Sequence, residues 1–537
     1  MSTGNPQSLH GLVGTGLGGF SRLLDADPVQ PSDLDLNNPH PSNGQPGGLA
    51  QLMGDAPDTV SDEPDPEENL YIPAGYTYLG QFVDHDLTFD TTSTFDTKDN
   101  TAFTNQRTPR FDLDCVYGAG PDAAPFLYQD GIRLIEGGKD LPRSRLADGS
   151  KGRAIIGDPR NDENSIVCNL QMAFIRFHNK VVAKLERDEP LLKGTRALFD
   201  KARDEVRWTY QKIVVEDLLP RIVSNETLKT FEYRRDPGPT GLSRNESAYA
   251  LFTAGKRGAI PLEFSGAAYR FGHSMVRNGY RLRLNPPEPT PIFNLAGDPN
   301  KSLTGFQTLD EDHVIEDWSI FFPKPNGSLS ATPGMKDPKN DVGAGQGDPA
   351  RLQFSYRIDT TIVDPLTLLP PSIAGAPMNN LAARNLLRGK KFQLPCGQAV
   401  GTALGVPVLG PEHLVYRKKF TDAQGQDVQT FVAIPASLCE KTPLWFYVLA
   451  EAQKPVVDWW RKRVLNTEKK NFTEDELLDA ASNTATQLGE TGGRIILEVF
   501  HGLLDADPDS YRNKSPAGWK PLIGEARMWN LVNLLNL

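Results

Sequence analysis

Residues 80–90, GQFVDHDLTFD, set Gln81, Asp84, His85 and Asp86 among Phe82, Val83, Leu87 and Phe89. A histidine can take up and return a proton near neutral pH, and carboxylates beside it can orient it or hold a cation. If the stretch is helical, Gln81, Asp84 and His85 fall at i, i+3 and i+4 and face one pocket. Asp86 then lies about 100° further round and needs a different partner. The plainer alternative is a cluster of solvated acids around a satisfied histidine.

In TPRFDLDCVYG, residues 108–118, Thr108, Arg110, Asp112 and Asp114 alternate, so in an extended or loop segment their oxygens converge on one side. Hard oxygens at that spacing suit calcium, which takes about six to eight of them in irregular geometry. With Asp86 they make a candidate ion site; a turn with solvated acids is the commoner meaning of such a run. GDPRNDEN, residues 157–164, carries Arg160 and Glu163 three apart at the start of a helical pattern, with GDP supplying the turn. AAYRFGHSMV places His273 on an apolar helical segment, where a structural histidine is the ordinary outcome.

Helical periodicity dominates the elements that must position these residues. It runs through 74–88, 165–189, 194–223, 378–391, 443–453 and 491–508; in the second, Ile166, Leu170, Ala173, Phe174, Phe177, Val181 and Val182 recur at three- and four-residue steps. Alternating strand patterns are scarce, and 284–350 reads as surface loops. Residues 25–70 are rich in Pro, Asp, Asn and Gly, which predicts an irregular arm over 1–70 and ordered structure from about Tyr71. The expectation is a mainly α chain, one large helical domain over 71–537 with long loops and little β. The amphipathic C-terminal GEARMWNLVNLL should dock on that domain.

Composition narrows the partners. Over 537 residues the chain is 38% hydrophobic and 23% charged with a net charge of -11, a soluble globular balance that disfavours nucleic acid and anionic membranes. Four scattered cysteines without a CxxC pair indicate free thiols. There is no basic leader before the weakly apolar start and no apolar run long enough to span a bilayer, so a soluble protein is expected, cytoplasmic or secreted by a leaderless route.

Four stretches in order across residues 80–395 carry a resemblance: GQFVDHD, GDPRNDE followed by FIRFHNK, YRFGHSM, and RNLLRG followed by LP. Together they resemble the animal-type haem peroxidase superfamily, in a leaderless, bacterial-like form. The resemblance implies a large helical haem-peroxidase domain that binds haem b and calcium. It makes His85 the distal acid and base, Gln81 its neighbour and Arg160 the distal cation, with His273 the iron ligand and Asn385 accepting the other imidazole N–H. Asp84 and Glu163 match carboxylates that some members esterify to haem, while Asp86, Thr108, Arg110 (through its carbonyl), Asp112 and Asp114 match the calcium loop.

The implied activity is reduction of hydrogen peroxide with oxidation of small organic donors, halides or pseudohalides. Two alternatives stand beside it: a fatty-acid dioxygenase of the same superfamily, and a non-enzymatic adhesion protein on the same scaffold. The dioxygenase branch has a radical tyrosine three residues before the proximal histidine, where this chain has Arg270; Tyr269 is four before. Asn164 rules out a methionine sulfonium link at that position. Lys390, Lys391, Phe392 and Gln393 depart from the run found in one branch, and Asp114 replaces a common serine while keeping an oxygen. His178 is expected to pack within its helix, and His313, His413 and His501 to be surface or local hydrogen-bonding residues.

Overall fold

A computed structural model describes residues 19–37, 48–54, 65, 67–89, 104–231, 249–284, 288–294, 298, 301–324, 352–371, 373, 379–481, 484 and 486–535. The apolar stripes read from the sequence become helices, chiefly α1 (Gly75–Leu87), α2 (Ser165–Asp188), α3 (Arg196–Ile213), α4 (Leu381–Lys391), α5 (Leu444–Thr467), α6 (Glu490–Ala506) and α7 (Met528–Leu535). Side chains cap several starts: Asn164 accepts the Val167 N–H, Thr195 that of Leu198 and Asn380 that of Ala383. Of the described residues about 49% are helical and 12% strand, as a mainly α reading requires. Among the described residues the strands form four two-stranded sheets, including β1 (Glu68–Pro73) with β2 (Phe354–Tyr356) and the hairpin of β3 (Val415–Thr421) and β4 (Asp427–Ala433).

An aromatic contact fixes α1 against α2. Phe82 stacks on Phe174 at 4.7 Å, and Tyr210 of α3 meets both rings edge-on, so three helices share one buried seam. Beyond Ile213 the chain continues as a single π-helical turn, Val214–Leu218. That turn carries the buried Asp217, which accepts the Tyr76 hydroxyl of α1 at 2.8 Å and the Met528 N–H of α7 at 2.9 Å. The C-terminal helix therefore docks as expected, with Leu531 and Val532 fully buried. On the other side of the site, the Trp445 indole of α5 donates to the Arg270 carbonyl and Phe500 of α6 packs on Tyr269. Among the described residues, no helix is long and apolar enough to cross a membrane.

Two expectations change. Order does not begin near Tyr71: residues 19–37 lie on the helical core, with Leu23 and Leu36 buried and the Leu23 and Leu24 N–H groups bound to the Glu263 carboxylate. Arg22 donates to the carbonyls of Phe392 and Gln393, and Lys390 pairs with Asp33. The departing run 390–393 thus forms part of the seat for this segment. A composition rich in turn formers hid two buried leucines and a row of backbone bonds. Residues 1–18, 38–47 and 55–64 of the expected arm lie outside the described residues.

Likewise 284–350 is not all surface loop, since Trp318, Ile320, Phe321 and Phe322 are buried; 325–350 lies outside the described residues. His313, His413 and His501 are buried rather than superficial, each with a local partner in Ser302, Asp458 and Arg512 respectively. All four cysteines are free thiols.

His178 is fully buried between the Tyr117 hydroxyl and the Ile132 carbonyl, and its pKa falls to about 4, through burial first and then the charges of Arg203 and Arg133. The unfolded chain binds a proton near pH 6.5 that the folded chain refuses until about pH 4. Stability from this residue is therefore full above pH 6.5 and is lost as pH falls, by about 3 kcal/mol in all. Calorimetric melting of His178→Gln should show a shallower loss between pH 6.5 and 4 than the parent; parallel curves would contradict this.

Candidate active site

α1 ends at the site, and α2 begins there. The turn before α2, Pro159–Asp162, is anchored by Asp158, whose carboxylate is wholly buried. Gly157 precedes it because a Cβ at that position would lie 2.5 Å from the Asp114 carbonyl oxygen. The turn thus crosses directly over the 114–115 backbone. Asp158 accepts the Arg160 N–H at 2.8 Å and its guanidinium at 2.7 Å, and it also pairs with Arg107. Burial alone would raise the Asp158 pKa, but the two guanidiniums hold it well below the usual carboxylate range. Arg160 in turn donates to the His85 and Thr88 carbonyls at the end of α1 and lies 4.5 Å over the Phe89 ring.

A cavity of about 1530 Å³ lies here, larger than the roughly 300–1,000 Å³ of ordinary small-molecule sites. Gln81, Asp84, His85, Arg160, Glu163, His273 and Asn385 all line it, so every residue expected at a haem pocket meets in one space. His85 is buried; its Nδ1 lies 2.7 Å from the Asn161 Oδ1 and its Nε2 4.0 Å from the Glu163 carboxylate. Burial and then Arg160 lower its pKa to about 4, against the opposing pull of Asp158 and Asp84. Glu163 moves the other way, to about 7, because desolvation outweighs Arg160. Its side chain, a third exposed, faces the cavity and accepts a hydrogen bond from Gln81, whose oxygen takes one from Asn164 at 3.1 Å. Asp84 accepts the Thr88 hydroxyl at 2.9 Å.

His273 sits on a 3-10 stretch, Ala268–Met275, rather than on an α-helix. Burial lowers its pKa to about 3, with Arg270, Arg388 and Arg384 adding to the shift. The Asn385 amide nitrogen lies 2.7 Å from Nδ1. As placed, the amide nitrogen faces the ring, the reverse of the accepting end expected of Asn385. A neutral ring can carry its proton on either nitrogen, and the amide presents whichever end complements it. The Tyr269 hydroxyl is buried at the cavity wall with no hydrogen-bond partner among the described residues.

Asp86 points away from the cavity, as its helical position predicts. One carboxylate oxygen from each of Asp86, Asp112 and Asp114 lies within 4.8 Å of the others. Neither Asp86 oxygen has a hydrogen-bond partner among the described residues, and burial, then the neighbouring acids, push the Asp86 and Asp114 pKa values up. Thr108 joins through its hydroxyl, 2.7 Å from Asp112. Arg110 directs its guanidinium to Asp507 instead, 3.6 Å away, while its N–H bonds the Thr108 carbonyl. The run is not simply extended, because Leu113 adopts a left-handed φ of 58° before a short helix starts at Asp114.

Sequence reasoning missed Arg107, Asp158, Asn161 and Gln171, which hold the expected residues from behind. The only signal was for Asp158 and Asn161, which flank Arg160 in GDPRNDEN. Because Asp158 carries two buried ion pairs, Asp158→Ala should cost about 3–5 kcal/mol. Urea unfolding measures this, and a loss under 1 kcal/mol, the size of an exposed pair, would contradict the account.

The chain is similar to known proteins in sequence and in fold. The model of the animal haem peroxidase family matches residues 94–311, which include Arg160 and His273 but not His85 or Asn385. A chorion peroxidase of Aedes aegypti is 27% identical over 36% of this chain and 25% of its own length, so the match spans about a quarter of that relative. Peroxidase A of Dictyostelium discoideum has a similar fold, with a TM-score of 0.55 at 14% identity over 97% of this chain and 94% of that one. A fatty acid alpha-dioxygenase of Oryza sativa follows at a TM-score of 0.50 and 14% identity, over 98% and 80%. At such identities the structural likeness is one of fold.

Proposed function

We propose that this chain, which belongs to the animal-type haem peroxidase superfamily, is a peroxidase that holds haem b in the cavity lined by His85 and His273. It would reduce hydrogen peroxide and oxidise a small organic donor or a halide. The observation that carries the reading is two neutral histidines from separate elements lining one large cavity, one beside a guanidinium and one on an amide. Haem iron, when bound, supplies the electrons that break the peroxide O–O bond and recovers them from the donor.

The side chains do the rest. His273 would ligate iron through Nε2, because Nδ1 is engaged by Asn385, and its low pKa keeps the lone pair that a metal needs. Ligation leaves the ring proton on Nδ1, and a half-turn of the Asn385 amide then presents an accepting oxygen. Arg270, Arg384 and Arg388, the cations that act on His273, suit the two carboxylates of haem b. Asp84 and Glu163 are the carboxyls that would form ester links to it. His85, neutral above about pH 4, would take a peroxide proton and return it to the outer oxygen so that water leaves. Arg160 would stabilise the negative charge of that step, already oriented by Asp158, and Gln81 would hold the neighbouring carboxylate.

Peroxide-dependent oxidation of guaiacol or bromide tests the reading. The parent should turn over, and His85→Gln should lose at least about 100-fold at unchanged haem content; equal rates would refute the role of His85. A second reading rests on Tyr269, whose hydroxyl stands unpartnered at the cavity. Oxygen uptake with linoleate, without guaiacol or bromide oxidation, would favour a dioxygenase.

Asp86, Asp112 and Asp114, with Thr108 and the Arg110 carbonyl, would hold calcium, a partner for Asp86 oxygens that have no close one among the described residues. Raised carboxyl pKa values make the metal-free acids harder to ionise, so calcium would compete with protons for these oxygens. Titration calorimetry in two buffers of different ionisation enthalpy should register proton release, with a higher Tm for the calcium form and neither effect in Asp86→Asn. Calcium that changes neither heat nor Tm would contradict the site.

A further inference from the structure

The direction of a hydrogen-bond chain behind His85 decides which of its nitrogens is free to act. The chain starts at the Cys115 backbone carbonyl, which can only accept. Gln171 of α2 faces it with its amide nitrogen at 3.3 Å, so its oxygen must face the other way. That oxygen accepts the Asn161 amide nitrogen at 2.8 Å, which turns the Asn161 oxygen toward His85 Nδ1 at 2.7 Å. Asparagine and glutamine ends are ordinarily interchangeable by eye, but a carbonyl at one terminus fixes every member in turn. Gln171 and Asn161 are fully buried, so no described part of either is open to solvent that could relax the order.

We infer that Gln171 and Asn161 are positioning residues that set the tautomer of His85, placing its proton on Nδ1 and its lone pair on Nε2, the nitrogen on the Glu163 side. This deepens the peroxidase reading and rests on it for the meaning of the lone pair: only an unprotonated Nε2 can accept a proton from a ligand in the cavity. The tautomer itself needs no cofactor. Because the chain ends on the residue after Asp114, it also joins the backbone of the acidic loop to the orientation of the base.

The experiment is magic-angle-spinning ¹⁵N NMR of the full chain labelled only at histidine, eight residues in all, with the His85 signal identified by its loss in His85→Gln. The parent should show His85 as the Nδ1–H tautomer. Gln171→Leu, which frees Asn161 to rotate, should populate the Nε2–H form; Gln171→Glu, which keeps an acceptor facing Asn161, should retain the parent form. In haem-loaded protein the rate with peroxide should fall at least about tenfold in Gln171→Leu and recover in Gln171→Glu. An Nε2–H tautomer in the parent overturns the inference, and so does an unchanged tautomer in Gln171→Leu. If Gln171→Leu does not fold, Asn161→Leu takes its place with the same two outcomes. A protein that takes up no haem refutes the peroxidase reading, while the spectra of the haem-free chain still decide the tautomer.

Discussion

The buried carboxylate of Asp158, clamped between Arg107 and Arg160, is the interaction on which the rest of the site depends. It sits in the turn that starts α2 and cannot be hydrated, so both guanidiniums must stay with it. Arg107 carries the connection to Asp114 at 3.1 Å, and Arg160 carries it to the last carbonyls of α1. Three segments far apart in the chain, 84–88, 107–114 and 157–164, are thereby tied together. The aromatic seam of Phe82, Phe174 and Tyr210 supports the same arrangement from the core side.

That arrangement sets the charges inside the cavity. Burial and nearby guanidiniums make both His85 and His273 harder to protonate, to about 4 and about 3, while burial makes Glu163 harder to ionise, to about 7. Neighbouring groups are pushed apart in pKa, the pattern that lets one pocket hold a base and an acid at the same pH. Arg160 disfavours the protonated form of His85, while Asp158 balances the Arg160 charge from behind. The cavity therefore holds a base, an acid and oriented donors side by side, a setting suited to moving a single proton at a chosen atom.

Much of this was legible in the sequence, for particular reasons. The i, i+3, i+4 placement of Gln81, Asp84 and His85 with Asp86 on another face follows from helical geometry alone, and the structure keeps it. Arg160 and Glu163 reach the same cavity because a short turn before a long amphipathic helix projects both. What stayed hidden depends on contacts between distant segments. Asp158 and Asn161 look like ordinary turn residues, and only packing against Arg107, His85 and Gln171 gives them roles. The seating of residues 19–37 was hidden because backbone hydrogen bonds to Glu263 and the 392–393 carbonyls leave no pattern of residue types. Which end of the Asn385 amide meets His273 was not legible, because sequence carries no information on tautomers.

His273 and the cavity it lines are the proposed haem site. Titration of the purified protein with haemin, followed at the Soret band, tests this most directly when the parent is compared with His273→Ala. The account predicts stoichiometric binding, one haem per chain, with a histidine-ligated spectrum in the parent and loss of that ligation in His273→Ala. Parent protein that gives no Soret band, or His273→Ala with the parent spectrum, would contradict it.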